Sequence, residues 1–529
     1  MRVTASLLLG ASTLVAVVIA PDVSAALVAG GLVLSGLAGA WLLAWAGRSL
    51  QTRIQLSGWV SVAATLLGGA LTFYAIRTGG LMTDGSGAAV NPNVLAAALT
   101  PLLASGAAGG VWLAPTRRRS RQWLWWVALL VWAAFWLGGV LALIATGSRG
   151  AWAALAAGAL VAATWMLRPW AMQRWRTAGF IIDMGLLAAA IAVVAVWVLL
   201  LMQPAMPAIA MGGRVALWRA GLALIDDAPF TGAGLRSTMM ALSSYVYVLH
   251  VGYISHVHNL YLEVAAEQGL IGLVAWGFLV ISAWAALLQA RRRQAPPLAM
   301  QAAAAAALTA LLVHGLVDAG LYASRLAPVL FLPIGAAWAA GGRGRRAGLE
   351  VRSRRLLGAL APLAVVAILF AWPGSRAAWQ ANLGVVAQTR TELFLYTWPE
   401  WPIQDALRRS PVVDLAPAIA RYQAALALDP ANATANRRLG QIALSQGDRT
   451  RARQWLEAAY ARQPDHPATR LLLGEVYALD GAPAQAAALW RTLDLGMGQL
   501  DGRRWWIAET GTAADVAAFD AAVALWREG

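Results

Sequence analysis

Long apolar runs constrain this chain more than any other feature. A helix that crosses a bilayer needs about 20 mostly apolar residues. Eleven stretches of this kind can be marked, at 4–20, 24–46, 54–76, 93–114, 123–146, 150–167, 178–202, 261–289, 298–318, 325–341 and 356–372. Inside lipid every backbone N–H and C=O must find a partner within the segment, so such runs are read as helices. Only 12% of the 529 residues are charged, where a soluble domain carries about 25%. The predicted fold is therefore all-α: a polytopic helical membrane bundle over 1–372, then a domain of different character over 373–529. There is no cysteine, and five histidines leave little material for a metal cluster. No metal or cofactor is expected.

The formal charge of +16 is carried by arginines. In a membrane protein such residues mark cytoplasmic loops, so no nucleic-acid partner is expected. Arg2, Arg48, Arg53, the run 117–121, Arg168, Arg174, Arg176, the run 291–293 and the run 343–355 all fall on one side of an eleven-span arrangement. That side is taken as cytoplasmic, which places the N-terminus inside and the C-terminus on the periplasmic side of an inner membrane. Val23-Ser24-Ala25 also fits a signal-peptide cleavage site, and a retained first helix is the favoured reading. The opposite side then presents the loop 77–92, the turn at Ser148-Arg149, the segment 203–260 and the turn from His314 to Asp318. A connection as long as 203–260 is usually functional or independently structured.

After residue 373 the long apolar runs stop and a repeat begins. Leu439-Gly440 and Leu473-Gly474, Gly447 and Gly481, Ala452 and Ala486, and Pro430 and Pro464 are each 34 residues apart. This is the period of tetratricopeptide repeats, in which small residues let paired helices pack. Residues 415–430 read as the second helix of a degenerate earlier repeat, and the region around Trp505-Trp506 as an irregular cap. Two uses are open for the repeats: packing on the bundle, or a concave surface for a protein or glycan partner.

The densest cluster of reactive residue types runs from His258-Asn259 through Glu263 and Glu267 to Gly269-x-x-Gly272. An imidazole at the edge of a span titrates near neutral pH. Carboxylates this near lipid must face protein or a wet cavity. The two glycines would admit a neighbouring helix. His256 is read as a neighbour without a role.

His258-Asn259, nine residues, then Gly-x-x-Gly resembles a motif of O-antigen ligases. Other segments agree with that family in order: Asn91-Pro92-Asn93, Gly147-Ser148-Arg149-Gly150, Gly213-Arg214, Asp227-Ala228-Pro229-Phe230 with Gly232-Ala233-Gly234, and His314 to Asp318. The similarity is to the O-antigen ligase/polymerase superfamily and covers about 90–340. Trp218 stands where the ligases often have Leu, which keeps polymerases and protein-glycosylating relatives in view.

The resemblance implies a metal-independent, inverting glycosyltransferase whose donor is an undecaprenyl-diphosphate-linked glycan. Arg149 and Arg214 would bind the diphosphate, since guanidinium groups engage phosphate in bidentate fashion, with Arg219 and Arg236 in support. His258 would act as general base on the acceptor hydroxyl or orient the diphosphate. Asn93, Trp218, Asn259, Glu263, His314 and Asp318 complete the candidate substrate contacts. The acceptor would be a lipid, a glycan or a protein hydroxyl. Blander readings stand beside these. Arg149 can anchor a helix end, and Arg214 and Arg219 can lie on an interfacial helix. His314 and Asp318 can pair on one helix face, and Trp218 and Tyr261 can be interface aromatics. Two other classes compete: a transporter or flippase, and an inert scaffold displaying the repeats. A transporter predicts inverted repeats and charges deep in the bundle, neither of which is apparent.

Overall fold

The computed structural model describes residues 1–47, 50–77, 91–113, 122–174, 185, 214–246, 249–250, 254, 256–293, 298–322, 324–341, 373–394, 396, 400, 402–493, 495 and 497–528. The predicted span 178–202 apart from Gly185, the predicted span 356–372, nearly all of the loop 77–92 and the arginine runs 117–121 and 343–355 lie outside these residues. The described chain is helical, with no β-strand.

Nine of the predicted spans coincide with helices. These are α1 (Arg2–Ile19), α2 (Val23–Ala46), α3 (Leu50–Arg77), α4 (Pro92–Leu113), α5 (Gln122–Ala145), α6 (Arg149–Arg174), α8 (Leu260–Arg292), α9 (Leu298–Gly315) and the pair formed by a 3-10 turn (Ala327–Phe331) and α10 (Leu332–Gly341). The extra helix α7 (Arg214–Asp227) lies in the segment predicted to be extramembrane. Seven helices are long and apolar enough to cross a membrane, and the apolar stretches at 92–107 and 327–341 are shorter. The count of eleven is thus not reached among the described residues.

Composition sorts these helices between interior and lipid. Lipid tails are as apolar as Leu, so small residues mark the faces where helices meet. Alanine-rich α4 is packed among α3, α5, α6 and α9, and Leu95, Ala96, Ala98, Leu99 and Leu102 are wholly inaccessible. Trp- and Leu-rich α5 exposes Trp123, Trp126, Leu130, Leu137 and Leu141.

Helix α8 is not continuous. Gly269 adopts φ 70° and ψ −179°, a conformation that L side chains rarely take. The break frees carbonyls, and the turn Gly232-Ala233-Gly234 takes them up: Ala233 N–H donates to Ala266 O (2.8 Å) and Gly234 N–H to Glu267 O (3.2 Å). Leu270 N–H donates back to Pro229 O (2.8 Å). The expectation that Gly269 admits a neighbouring helix is corrected. What it admits is the backbone of Phe230, whose carbonyl oxygen would lie 2.2 Å from a Cβ at that position. Gly272 does sit near a helix, with Ser12 Oγ of α1 at 3.4 Å from a notional Cβ.

The C-terminal domain stacks helix pairs: α11 (Pro373–Leu393) with α13 (Ala416–Leu428), α14 (Ala433–Ser445) with α15 (Arg449–Arg462), and α16 (Pro467–Leu479) with α17 (Pro483–Trp490). Helix α12 (Gln404–Arg409) interrupts the first pair. The region around Trp505-Trp506, expected to be irregular, is instead helical. Helices α18 (Met497–Thr510) and α19 (Ala513–Glu528) close the stack, with Phe519 against Trp490 (5.3 Å between ring centroids).

All thirteen residues of α14 are buried, so the chain itself covers this repeat helix. Arg408 donates to both carboxylate oxygens of Glu392 (2.7 and 3.0 Å) and to Asp405 (3.1 Å). Arg503 bridges Glu475 (2.6 Å) and Asp405 (3.0 Å). Buried charges persist where each is paired and hydrogen-bonded, and this network meets that condition.

Candidate active site

Asn259 builds the start of α8. Its side chain accepts from the N–H groups of Tyr261 and Leu262 (both 3.0 Å), an N-cap, and donates to Leu316 O (2.8 Å). This ties the His-Asn segment to the turn after α9. Glu263 sits behind the segment, 1% exposed, its carboxylate accepting the Val257 N–H (2.8 Å). His258, just before the cap, takes φ 54°, an uncommon value for a non-glycine residue.

His258 Nδ1 lies 3.4 Å from Asp318 Oδ2, and His256 Nε2 lies 3.6 Å from the same oxygen. The His258 side chain is 23% exposed and that of Asp318 4%. Burial opposes the Asp318 charge. The close approach of His256 and His258, with the charges on His256 and His314, outweighs burial and holds this carboxyl below the usual carboxylate range. Its other oxygen accepts the Gly320 N–H (2.7 Å).

Asp318 is not four residues along a helix face from His314, as expected. Helix α9 ends at Gly315, and the N–H groups of Val317 and Asp318 both return to His314 O (3.0 and 3.1 Å). The chain turns there, and the turn aims Asp318 at the two histidines.

The other predicted segments gather around this turn. Gly150, next to exposed Arg149, abuts Val317, with 2.5 Å from a notional Cβ to Val317 Cγ2. Val94, next to half-buried Asn93, lies 3.2 Å from a notional Cβ on Gly320. Half-buried Arg214 opens the described part of α7 and acts electrostatically on buried His314. Helices α4, α6 and α8 all begin here, behind Asn91, Ser148 and Asn259. Helix N-termini favour anions, through free N–H groups and the helix dipole.

Trp218 is placed differently from expectation. It is wholly buried rather than interfacial, and its indole N–H donates to His258 O (3.3 Å). It therefore supports the histidine segment and offers no ring to a sugar. Tyr261 donates its hydroxyl to Leu312 O (2.8 Å). Arg219 is half-buried on α7. Arg236 takes φ 64° and acts electrostatically on Glu263, Glu267 and Asp22, behind the site with the two glutamates.

His256 is the residue the sequence reading missed. Its signal was the His-x-His spacing, and in the structure the two ring centroids lie 4.2 Å apart. Among the described residues, His256, His258 and Asp318 form a group able to hold a metal ion, one ligand atom from each lying within 4.8 Å of the others. The same spacing also forms an electrostatic triad in which His258 alone comes within hydrogen-bond distance of Asp318.

Fold and site together define a multi-pass helical membrane protein whose polar side chains converge where several helices begin. A model of the O-antigen ligase family matches residues 133–277, and two tetratricopeptide-repeat models match 414–467 and 443–506. The chain therefore carries an O-antigen ligase domain joined to C-terminal tetratricopeptide repeats. The ligase match contains Arg149, Arg214 and His258, while Asn93 and Asp318 lie outside it. No curated protein matches the chain.

Proposed function

We propose that the protein is a glycosyltransferase of the bacterial inner membrane. It moves a glycan from a polyprenyl diphosphate to an acceptor hydroxyl on the non-cytoplasmic face. The observation that carries this reading is the His258–Asp318 pair at 3.4 Å, its histidine partly exposed and its carboxylate buried, among the segments bearing Arg149 and Arg214.

With Nδ1 turned to Asp318, Nε2 of His258 takes the acceptor's proton. The acceptor oxygen bonds to the anomeric carbon, the carbon–oxygen bond to phosphate breaks, and the electron pair leaves with the diphosphate. Asp318 holds the imidazole and balances its positive charge. Arg149 and Arg214 stabilise the charge on the departing diphosphate. Attack from the face opposite the leaving group inverts the anomeric centre.

The acceptor is a lipid core in a ligase, a second lipid-linked repeat unit in a polymerase, or a protein hydroxyl. The repeat domain favours the last two only if it presents a free binding face, and α14 is covered by the chain's own residues. Complementation of a surface-glycan deletion, with glycans resolved by length, separates these outcomes. Ligase loss leaves long lipid-linked chains unattached. Polymerase loss leaves single repeats on the core. An unchanged glycan profile with no glycoprotein lost counts against the enzyme reading.

A further inference from the structure

The repeat domain does more than hang from the bundle. Asp227, the last residue of α7, has a fully buried carboxylate. Arg437 of α14 donates to one of its oxygens. Arg438 donates to the other through Nε (3.1 Å) and Nη2 (2.8 Å). Tyr245 donates to that second oxygen as well, and its own hydroxyl accepts from Arg438 (2.6 Å). Two arginines of a repeat helix thus close on one carboxylate of the ligase domain. Asp226 accepts from Gln463 beside them (2.8 Å).

From Asp227 the rigid element is α7. Four residues short of its described start at Arg214, Trp218 holds the His258 carbonyl, and between them Gly221 packs on Val257 (2.5 Å from a notional Cβ to Cγ1). A second path reaches the same place. Asn382 of α11 accepts the N–H groups of Phe230 (3.0 Å) and Thr231 (3.3 Å) and donates to the Thr231 hydroxyl (2.7 Å). Phe230 is the backbone seated in the Gly269 break, which sets the course of α8 from Asn259. The first path ends at Val257 and the His258 carbonyl, and the second reaches Gly269 in the helix that those residues lead into.

We propose that the repeat domain is an intramolecular positioning device. Arg437 and Arg438 are positioning residues that, through Asp227 and α7, hold the His258 segment in its reactive geometry. A buried ion pair is weak evidence for stability, and in some proteins such groups instead fix one arrangement; the doubled arginine around a single carboxylate fits that use. The proposal rests on the reading of His258 as the base, so its test needs one readout that does not.

The experiment uses the full chain in lipid nanodiscs, comparing the native protein with R437Q/R438Q, D227N, the triple variant and R438K. Hydrogen exchange is read by mass spectrometry, and glycan transfer by kcat and KM. The expected result is lost protection at 214–227 and 256–263, with helices 449–462 and 467–479 unchanged. Transfer falls at least about ten-fold, mainly in kcat. The triple variant is no worse than the worse of its parents, because all act on one contact. R438K, which keeps the charge, recovers part of the rate. Lost protection confined to 433–445, or an active enzyme whose rate ignores a loosened 256–263, overturns the proposal. If the native chain transfers no glycan at all, the enzyme reading fails, and unchanged exchange at 256–263 would still reject the device on its own.

Discussion

The indole N–H of Trp218 lies 3.3 Å from the main-chain carbonyl of His258, with the whole Trp218 side chain out of reach of solvent. Trp218→Phe keeps most of the volume and removes the donor. A hydrogen bond of this kind contributes about 1 kcal/mol, so the rate of transfer is expected to fall roughly five-fold with KM for donor little changed. Trp218→Ala opens a large cavity and is expected to cost about 3–5 kcal/mol of stability. Thermal unfolding followed alongside transfer kinetics distinguishes the two. A Phe variant with an unchanged rate would remove Trp218 from the account.

Asp318→Asn leaves a side chain of the same size that can still accept the Gly320 N–H, and takes away the charge facing His256 and His258. General-base catalysis is worth about 10²–10⁴-fold, and a base deprived of its orienting carboxylate should lose a large part of that. The expected outcome is a fall in kcat of about a hundred-fold with donor affinity retained, read by single-turnover transfer and donor binding. Loss of donor binding with kcat intact would reassign Asp318 to substrate contact.

The three atoms of His256, His258 and Asp318 that form the triad are also spaced to clasp a divalent ion. If His258 works as a base, a metal there blocks it. Chelator should leave transfer unchanged, and added zinc should inhibit it in competition with protons. Transfer abolished by chelator and restored by zinc would make the triad a metal centre.

His466 begins α16 with its Nδ1 accepting the Thr469 N–H (3.4 Å), a contact only the neutral ring can make. Burial, then the charges on Arg437 and Arg438, hold its pKa well below 6.5. Between that folded value and the unfolded value of about 6.5, only the unfolded chain binds the proton. Stability from this group is therefore complete above about pH 6.5 and is lost as pH falls, by up to about 1.4 kcal/mol per pH unit. His466→Asn keeps a good N-cap that does not titrate. Unfolding of the repeat domain by denaturant from pH 5 to 7 is expected to be flatter in the variant, and equal slopes would refute the assignment.

Local pattern carried the helices and the 34-residue repeat, because each depends on regular spacing along the chain; the cap at Asn259 emerged only from the structure. The arginine clusters and span lengths put Arg149, Arg214, His258 and Asp318 on one face of the membrane, but nothing in the sequence shows that they converge. Details set by tertiary contact were not legible. A helix reading of 298–318 hid the turn after Gly315 that aims Asp318. Trp218 looked interfacial because nothing nearby in sequence reveals that the His258 carbonyl needs a donor. Asp226-Asp227 and Arg437-Arg438 are pairs of opposite charge more than two hundred residues apart, and only the fold brings them together.

The most direct test of the central claim is transfer by the purified chain from a polyprenyl-diphosphate-linked glycan to acceptor, in chelator, with native protein beside His258→Gln and Arg214→Ala. The account predicts turnover by the native chain, a fall of about 10²-fold or more for His258→Gln with the donor still bound, and weakened donor binding for Arg214→Ala. Native turnover that neither substitution changes, in proteins that remain folded and inserted, would contradict it.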